Sequence, residues 1–382
     1  MRRGAVRTQF ERTDELPADL FAYLGGRMFE HWVDFDSRDN GYDEDDLIEN
    51  PAYILESILR DEIFTERDLE LTRVSNNTFY VNDLRFALDD YYDGAIIYNT
   101  TRGEKDTVSD FVMSGSDKRI NTTNSHASWD TGDKVYLTNI QGDNKIDVDS
   151  FDLVGNTADG LRDGWIFGKS VYQETLAEGI LNEILFESRC ILFTSFDKYK
   201  LVAIDDTPTE VATWTTPLMQ NGKLLASASL STIRQLYNDF RVNYYFDYGI
   251  GVCKKTLFVN KAGASSELTN GATYQATCKT LFDNYKIINR FEYNCNWIYD
   301  DDTAELFFDK IFEWYSKQRL IVNWATPVSD YLQYEVGDII KLNNSEIIPT
   351  GVNNVSKFMI METPLKPLPG APFINFKLVE IS

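Results

Sequence analysis

DDDTAELFFDKIFEWYSKQR (300–319), LIVNWAT (320–326) and YEVGDIIKL (334–342) are the stretches from which this chain is best read outward. Asp300, Asp301 and Asp302 stand where a helix presents its positive end, and Lys317 and Arg319 stand near its negative end. Between them Ala304, Phe307, Phe308, Ile311, Phe312 and Tyr315 recur at helical spacing and form one broad apolar face. A strand over 320–326, a Gly337-Asp338 turn and a strand ending at Leu342 follow, and KFMIMETPL (357–365) and FINFKLVEI (373–381) read as two closing strands. The order is helix, strand, turn, strand, strand.

With 382 residues the chain exceeds one compact core, and two to four domains are expected. Its 43% hydrophobic and 14% aromatic content supplies enough apolar surface to offset chain entropy, so order is expected and not disorder. Sixty acidic against 37 basic residues give a net charge of -23. Such a surface repels phosphates, which argues against sequence-specific nucleic-acid binding. It also serves solubility, and in a channel wall it would let DNA pass without sticking.

Toward the N-terminus, FEYNCNWIY (291–299) reads as a strand region and 267–286 as a polar helix. FRVNYYFDYG (240–249) alternates Phe240, Val242, Tyr244 and Phe246 as a strand, and LSTIRQLYNDF (230–240) reads as a short helix before it. VYQETLAEGILNEILFE (171–187) is helical through Leu176, Ile180, Leu181, Ile184 and Leu185, and leads into a hairpin of CILFTSF and KLVAID. Residues 69–165 lose the helical period and read as a β-rich module. In it SDKRINTTNSHASWD (116–130) is a polar loop, and Val135, Leu137, Ile146, Val148 and Phe151 lie on strands around a Gly142-Asp143-Asn144 turn. NPAYILESILRDEIF (50–64) is an amphipathic helix capped by Asn50 with Pro51 in its first turn. A helix over Leu16–Phe29 and an exposed loop over 34–46 precede it.

The closing order, together with 50–64, the helix and hairpin over 171–204 and the Tyr-rich strand 240–248, resembles the tail hub proteins of phages and phage-like particles, the family of baseplate hubs and tail-tip proteins. The resemblance covers about half of the chain. It implies an α+β, β-rich fold with two hub-type β-barrel domains and α+β inserts. GDKVYLTNI (132–140) is a faint echo of the closing VGDIIKL, consistent with a first barrel near 132–154. The implied division is an N-terminal segment at 1–65, a β-rich domain or insert at 66–165, an α+β hub domain at 166–265 and a C-terminal hub domain at 266–382. It further implies a homotrimeric ring with six barrel positions. Such a ring would join a sixfold tail tube or distal tail protein ring to a threefold central spike or fiber and let DNA pass at ejection. The location implied is the virion tail tip or baseplate, assembled in the host cytoplasm.

Enzymes and binding modules are the competing readings. Carboxylate neighbours such as Asp45-Asp46, Asp89-Asp90 and Asp300–Asp302 are not by themselves a glycosidase dyad, which needs two unlike environments across a cleft. The two histidines, His31 and His126, lie in no nucleophile motif, and no phosphate-binding glycine loop occurs. From Asp36 the calcium-loop register fails, with Arg38 third and Leu47 twelfth. Cys190, Cys253, Cys278 and Cys295 lack metal-ligand spacing and read as reduced, packed thiols. No catalytic, cofactor-binding or metal residue is therefore nominated, and no enzyme and no cofactor are expected. No run approaches the ~18 apolar residues of a membrane span, and no signal peptide opens the chain. The alternative function is carbohydrate or receptor binding at host attachment, with Trp129, Tyr136 and Trp165 as stacking platforms. Trp314 and Tyr315 are expected to anchor the last helix on its barrel.

Overall fold

The computed structural model describes residues 48–156, 160–169, 177–204, 209–217, 219–220, 223–247, 249–327, 333–344, 357–362 and 373–381. The helix at 16–29, the loop at 34–46, His31 and Asp45-Asp46 lie outside the described residues. The chain divides into two compact units, residues 1–186 with 196–201 and residues 187–195 with 202–382. No described helix is long and apolar enough to cross a membrane.

In the first unit α1 (Pro51–Ile58) starts as its sequence requires: the Asn50 side chain accepts from Ala52 N, and Pro51 opens the helix. The helix widens into a π turn over Leu59–Ile63. There the buried Arg60 donates to Glu56 at 2.9 Å and to Asn139 at 2.6 Å, which compensates a guanidinium taken out of water. Strands β1 (Glu66–Glu70), β2 (Thr72–Arg73), β3 (Thr78–Tyr80), β4 (Ile96–Asn99), β5 (Glu104–Ser114), β6 (Asp117–Thr122) and β7 (Lys134–Thr138) form one sheet in the order β1-β7-β4-β5-β6-β3-β2. All its pairings are antiparallel, and bulges in β1 and in β5 between Val108 and Asp110 bend it into a curled, half-barrel shape. Its concave side is filled by Phe79, Tyr92, Phe111, Trp129, Val135 and Leu137.

Two expectations in this region are corrected. Asp117–Thr122 is a paired strand and not part of a loop, because Ile120 and Thr122 turn inward between β5 and β3. Ile146, Val148 and Phe151 are not on a strand. Gly142–Lys145 makes one helical turn, and α2 (Val148–Gly155) begins at Asp147, whose carboxylate accepts from Ser150 N. An Asx cap outcompetes the strand pattern there. The helix read over 171–187 is α3 (Ala177–Ser188), with 171–176 outside the described residues. The hairpin that follows is β8 (Cys190–Ser195) and β9 (Lys198–Ala203).

The second unit holds two larger sheets. Strands β10 (Ala212–Trp214), β11 (Met219–Gln220), β12 (Lys223–Leu224) and β13 (Ala226–Leu230) precede β14 (Asp239–Asp247), β15 (Val252–Asn260) and β16 (Gly263–Ala264). Then come α4 (Gly271–Tyr285), β17 (Arg290–Asn294), α5 (Asp301–Tyr315), β18 (Leu320–Pro327), β19 (Ile339–Leu342), β20 (Lys357–Glu362) and β21 (Phe373–Glu380). One sheet runs β16-β15-β14-β17, with β17 returning parallel to β14 after α4. The other runs β10-β19-β20-β21-β18-β13 and is closed at one side by the parallel pair β10 and β19. β11 and β12 pair with each other. The short helix expected near 230–240 is a single 3-10 turn, Ile233–Gln235, because the backbone must re-extend to pair Asp239 with Arg290. Strand β17 stops at Asn294, short of the Tyr299 expected from sequence.

Candidate functional site in the closing sheet

The closing strands bury one face along their length and part of the other. Trp214, Val322, Trp324, Ile340, Leu342, Phe358, Ile360, Phe376 and Leu378 make that core. On its reverse lie Ile339, Met359 and Ile381, with Ile191, Ile204 and Trp314 packed against them. The turn into β19 needs glycine: Gly337 has φ +93°, and a Cβ there would lie 2.8 Å from Val202 Cγ1. The Gly-Asp pair singled out in the sequence is thus a backbone requirement, with Asp338 accepting from Glu335 N at 2.8 Å.

Helix α5 is capped as read. Asp300 accepts from Thr303 N at 2.8 Å, and Asp301 binds Tyr244 Oη and Lys255. Those bonds from Lys255 and Tyr244 hold the Asp301 carboxyl below its ordinary range. Asp300 and Asp301 thus have structural duties, and Asp302 lies in the first turn of the helix. The expected anchor on the closing sheet holds for Trp314 and is corrected for Tyr315. Phe308 and Phe312 pack on Phe240 of β14 and Tyr274 of α4, while Phe307 meets Tyr293 of β17. Tyr315 meets Phe291 and Tyr237. The helix therefore rests on the four-stranded sheet, and Trp314 touches the reverse of the six-stranded one. A broad stripe at helical spacing reveals that a helix is buried, but not which of two sheets covers it.

Candidate catalytic groups are dispersed or engaged. His126 Nε2 lies 2.6 Å from Asp106 Oδ2 and Nδ1 3.6 Å from Glu104 Oε2, and its ring stacks on Trp129 at 4.2 Å. With Asp106 at Nε2, Glu104 beyond Nδ1 and Trp129 on its face, the imidazole is a cross-brace of the sheet. Glu104 also accepts from Ser128 Oγ and Trp129 Nε1, and these bonds lower its pKa. Asp89 accepts from Met113 N at 2.7 Å. Asp90, Asp93 and Asp110 come within 4.8 Å of one another, yet Asp93 accepts from Phe111 N and Asp110 from Asn121 Nδ2. Burial, followed by the charges of Asp90 and Asp110, raises the Asp93 pKa.

The sugar platforms fail on geometry: Trp129 and Trp165 are buried, and Tyr136 is half-buried with its ring stacked on Tyr98 at 4.8 Å and 9°. All four cysteines are free, and Cys190, Cys278 and Cys295 are buried. Burial pushes the Cys278 thiol up to about 12. Sequence reasoning missed Glu187, a fully buried carboxylate that accepts from Asn296 N at 2.8 Å and Trp297 N at 3.0 Å. Its position after the apolar run ILNEILF, on the inward side of α3, is the only local signal.

No protein-family model and no curated protein matches this chain. Solved structures do. A chain from the virion of a native gene transfer agent particle is 8% identical over 82% of this chain and 76% of that one, at a TM-score of 0.39. The tail protein from Neisseria meningitidis MC58 is 8% identical over 83% and 92%, at 0.37. The 43 kDa tail protein of prophage MuSo2 from Shewanella oneidensis is 11% identical over 82% and 93%, at 0.32. The structural neighbours of this chain are thus phage tail, baseplate and gene-transfer-agent virion proteins, at low TM-score and sequence identity.

Proposed function

We propose that the chain is a structural tail hub of a phage or phage-like particle. Three copies would form a ring that joins a sixfold tail tube to a threefold central spike or fiber and lets DNA pass. The observation that carries this reading is the closing order itself: α5, β18, β19, β20 and β21 follow one another, and the four strands join a single six-stranded sheet. That is the arrangement on which the resemblance to tail hubs rests. A second curled sheet, of seven strands, occupies the other unit. Two such sheets per chain would give a trimer six similar faces, which matches a hexameric tube on one side and threefold symmetry on the other. The domain division at 65, 165 and 265 belongs to this proposal, as do assembly in the host cytoplasm and a role at ejection.

The work is mechanical in this reading. Asp89, Asp300, Asp301 and His126 bind backbone and neighbouring side chains, and a net charge of -23 favours passage of DNA over its retention. Electron microscopy and analytical ultracentrifugation of the purified full chain, alone and with the tail tube protein, test the proposal. Threefold rings that bind tube ends are expected. A protein that stays monomeric in both settings, or that hydrolyses glycan, overturns it.

A further inference from the structure

Cys253 and Cys295 are distant in the chain and adjacent in the four-stranded sheet. Cys253 lies in β15 opposite Phe246 of β14, and Cys295 directly follows β17, on the other side of β14. With a strand between them the ladder alone would hold the two residues apart. The chain beyond β17 removes that separation. Cys295 N donates to Asn243 O at 2.7 Å, and Tyr245, held at φ +58°, turns its N–H to Ile298 O at 3.1 Å, so residues 295–298 stay against β14. Cys253 Sγ reaches the Cys295 carbonyl oxygen at 3.9 Å. A disulfide bridges about 4.4–6.8 Å between Cα atoms, and a sulfur already in contact with the backbone of the other cysteine leaves little to close.

The two thiols differ in access, as a stepwise oxidation requires. Cys253 is half-buried and open to a small reagent, whereas Cys295 is 0% exposed and beyond its reach. The turn that carries Cys295 is fixed, because Glu187 accepts from Asn296 N at 2.8 Å and from Trp297 N at 3.0 Å. Burial first, and the Glu187 charge next, hold both thiols above their ordinary pKa, which makes exchange slow. Cys190, at the start of β8, and Cys278, on α4, are buried elsewhere.

We infer that Cys253 and Cys295 form a redox-sensitive pair that closes to a disulfide on reaction with a low-molecular-weight disulfide such as oxidised glutathione. The Cys253 thiol gives up its proton and attacks one sulfur of the reagent; a mixed disulfide forms, and one glutathione thiolate leaves and takes up a proton. Cys295 likewise loses its proton and attacks Cys253 Sγ, expelling the second glutathione as a thiolate that is protonated in turn. Two protein thiols are thereby oxidised, and one glutathione disulfide is reduced to two thiols. The bond ties β15 to the Cys295–Ile298 turn beside a hairpin end that exposes Ile250 at 65% and Val252 at 51%, and so stiffens that end. A particle assembled in a reducing compartment and acting outside it would pass from one state to the other. That use rests on the hub reading, and the bond itself does not.

The test incubates the folded full chain with excess oxidised glutathione and maps the sulfurs by non-reducing peptide mass spectrometry. A peptide pair joined through Cys253 and Cys295, and lost on reduction, is expected. Cys295→Ser should stop at a glutathione adduct on Cys253, and Cys278→Ser should still close the bond. The unaltered chain decides the outcome even where a serine variant fails to fold. Hydrogen exchange at residues 249–252 should slow about threefold or more in the oxidised chain, and exchange that does not slow overturns the stiffening. A glutathione adduct that persists on Cys253 of the unaltered chain, a Cys253 that never reacts, or a bond that joins other cysteines overturns the pair, whatever oligomer the chain forms. A chain that closes the bond but never forms rings overturns the hub reading and leaves the pair standing.

Discussion

The guanidinium of Arg319 lies 4.2 Å from the centroid of the Trp314 ring while its nitrogens donate to Glu313 O, Trp314 O and Glu380 O. One buried side chain thus covers the orphan carbonyls at the end of α5 and the end of β21, and Arg189 approaches the same indole at 5.1 Å. Lysine carries the charge but not the planar fork. Arg319→Lys should cost about 2 kcal/mol, and Trp314→Ala a similar ~2 kcal/mol because its ring is half-buried. Urea denaturation of both variants measures this. Unchanged midpoints would remove the clamp from the account of the fold.

Asp133 provides the pH dependence. Burial pushes its pKa up, but bonds from Arg102 Nε at 3.0 Å, Asn99 Nδ2 at 2.9 Å and Asp130 N at 2.9 Å outweigh this and leave it lowered. A lowered folded pKa contributes stability above the unfolded value of about 3.9, and that contribution is lost as pH falls through the folded value. Asp133→Asn should therefore melt below the parent at neutral pH, and the gap should close in acid. Melting curves from neutral pH down through that range check it, and a gap that widened in acid would contradict the assignment.

Thiol reactivity follows burial. Cys253 is half-buried and the other three are buried, with Cys278 pushed up to about 12 and Cys295 also raised by burial. At mildly alkaline pH an alkylating reagent should modify Cys253 first and the others only after unfolding. Mass spectrometry of a time course reads the order directly, and early labelling of Cys278 would be inconsistent with its place on the buried side of α4.

The β8–β9 hairpin turns through Phe196 at φ +47° and Asp197 at φ +69°. Two left-handed residues suit asparagine or glycine, whereas phenylalanine is strained there and is 88% exposed. Phe196→Asn keeps the Asp197 pair with Lys145 and should stabilise by about 0.5–1 kcal/mol. Calorimetry tests this. A loss of stability would mean that the ring makes a contact the hairpin depends on.

Much of the architecture was legible locally. Asn50-Pro51 and Asp300–Asp302 mark helix starts because the donors they satisfy lie within three residues. The alternation in 239–247 and 373–380 announces strands with one buried face. Reading failed where two local preferences competed, as at Ile146–Phe151, and where polar residues alternate with few apolar ones, as at Asp117–Thr122.

By itself the sequence determined the β-rich class, the caps and the order of the closing elements, since each depends on neighbours a few residues apart. Only the tertiary structure decided that α5 rests on the four-stranded sheet, that His126 is held between Asp106 and Glu104, and that Trp129 and Trp165 are interior. Those facts depend on partners far apart in the chain. The periodicity of a buried face states that a partner exists, and the long-range packing selects which one.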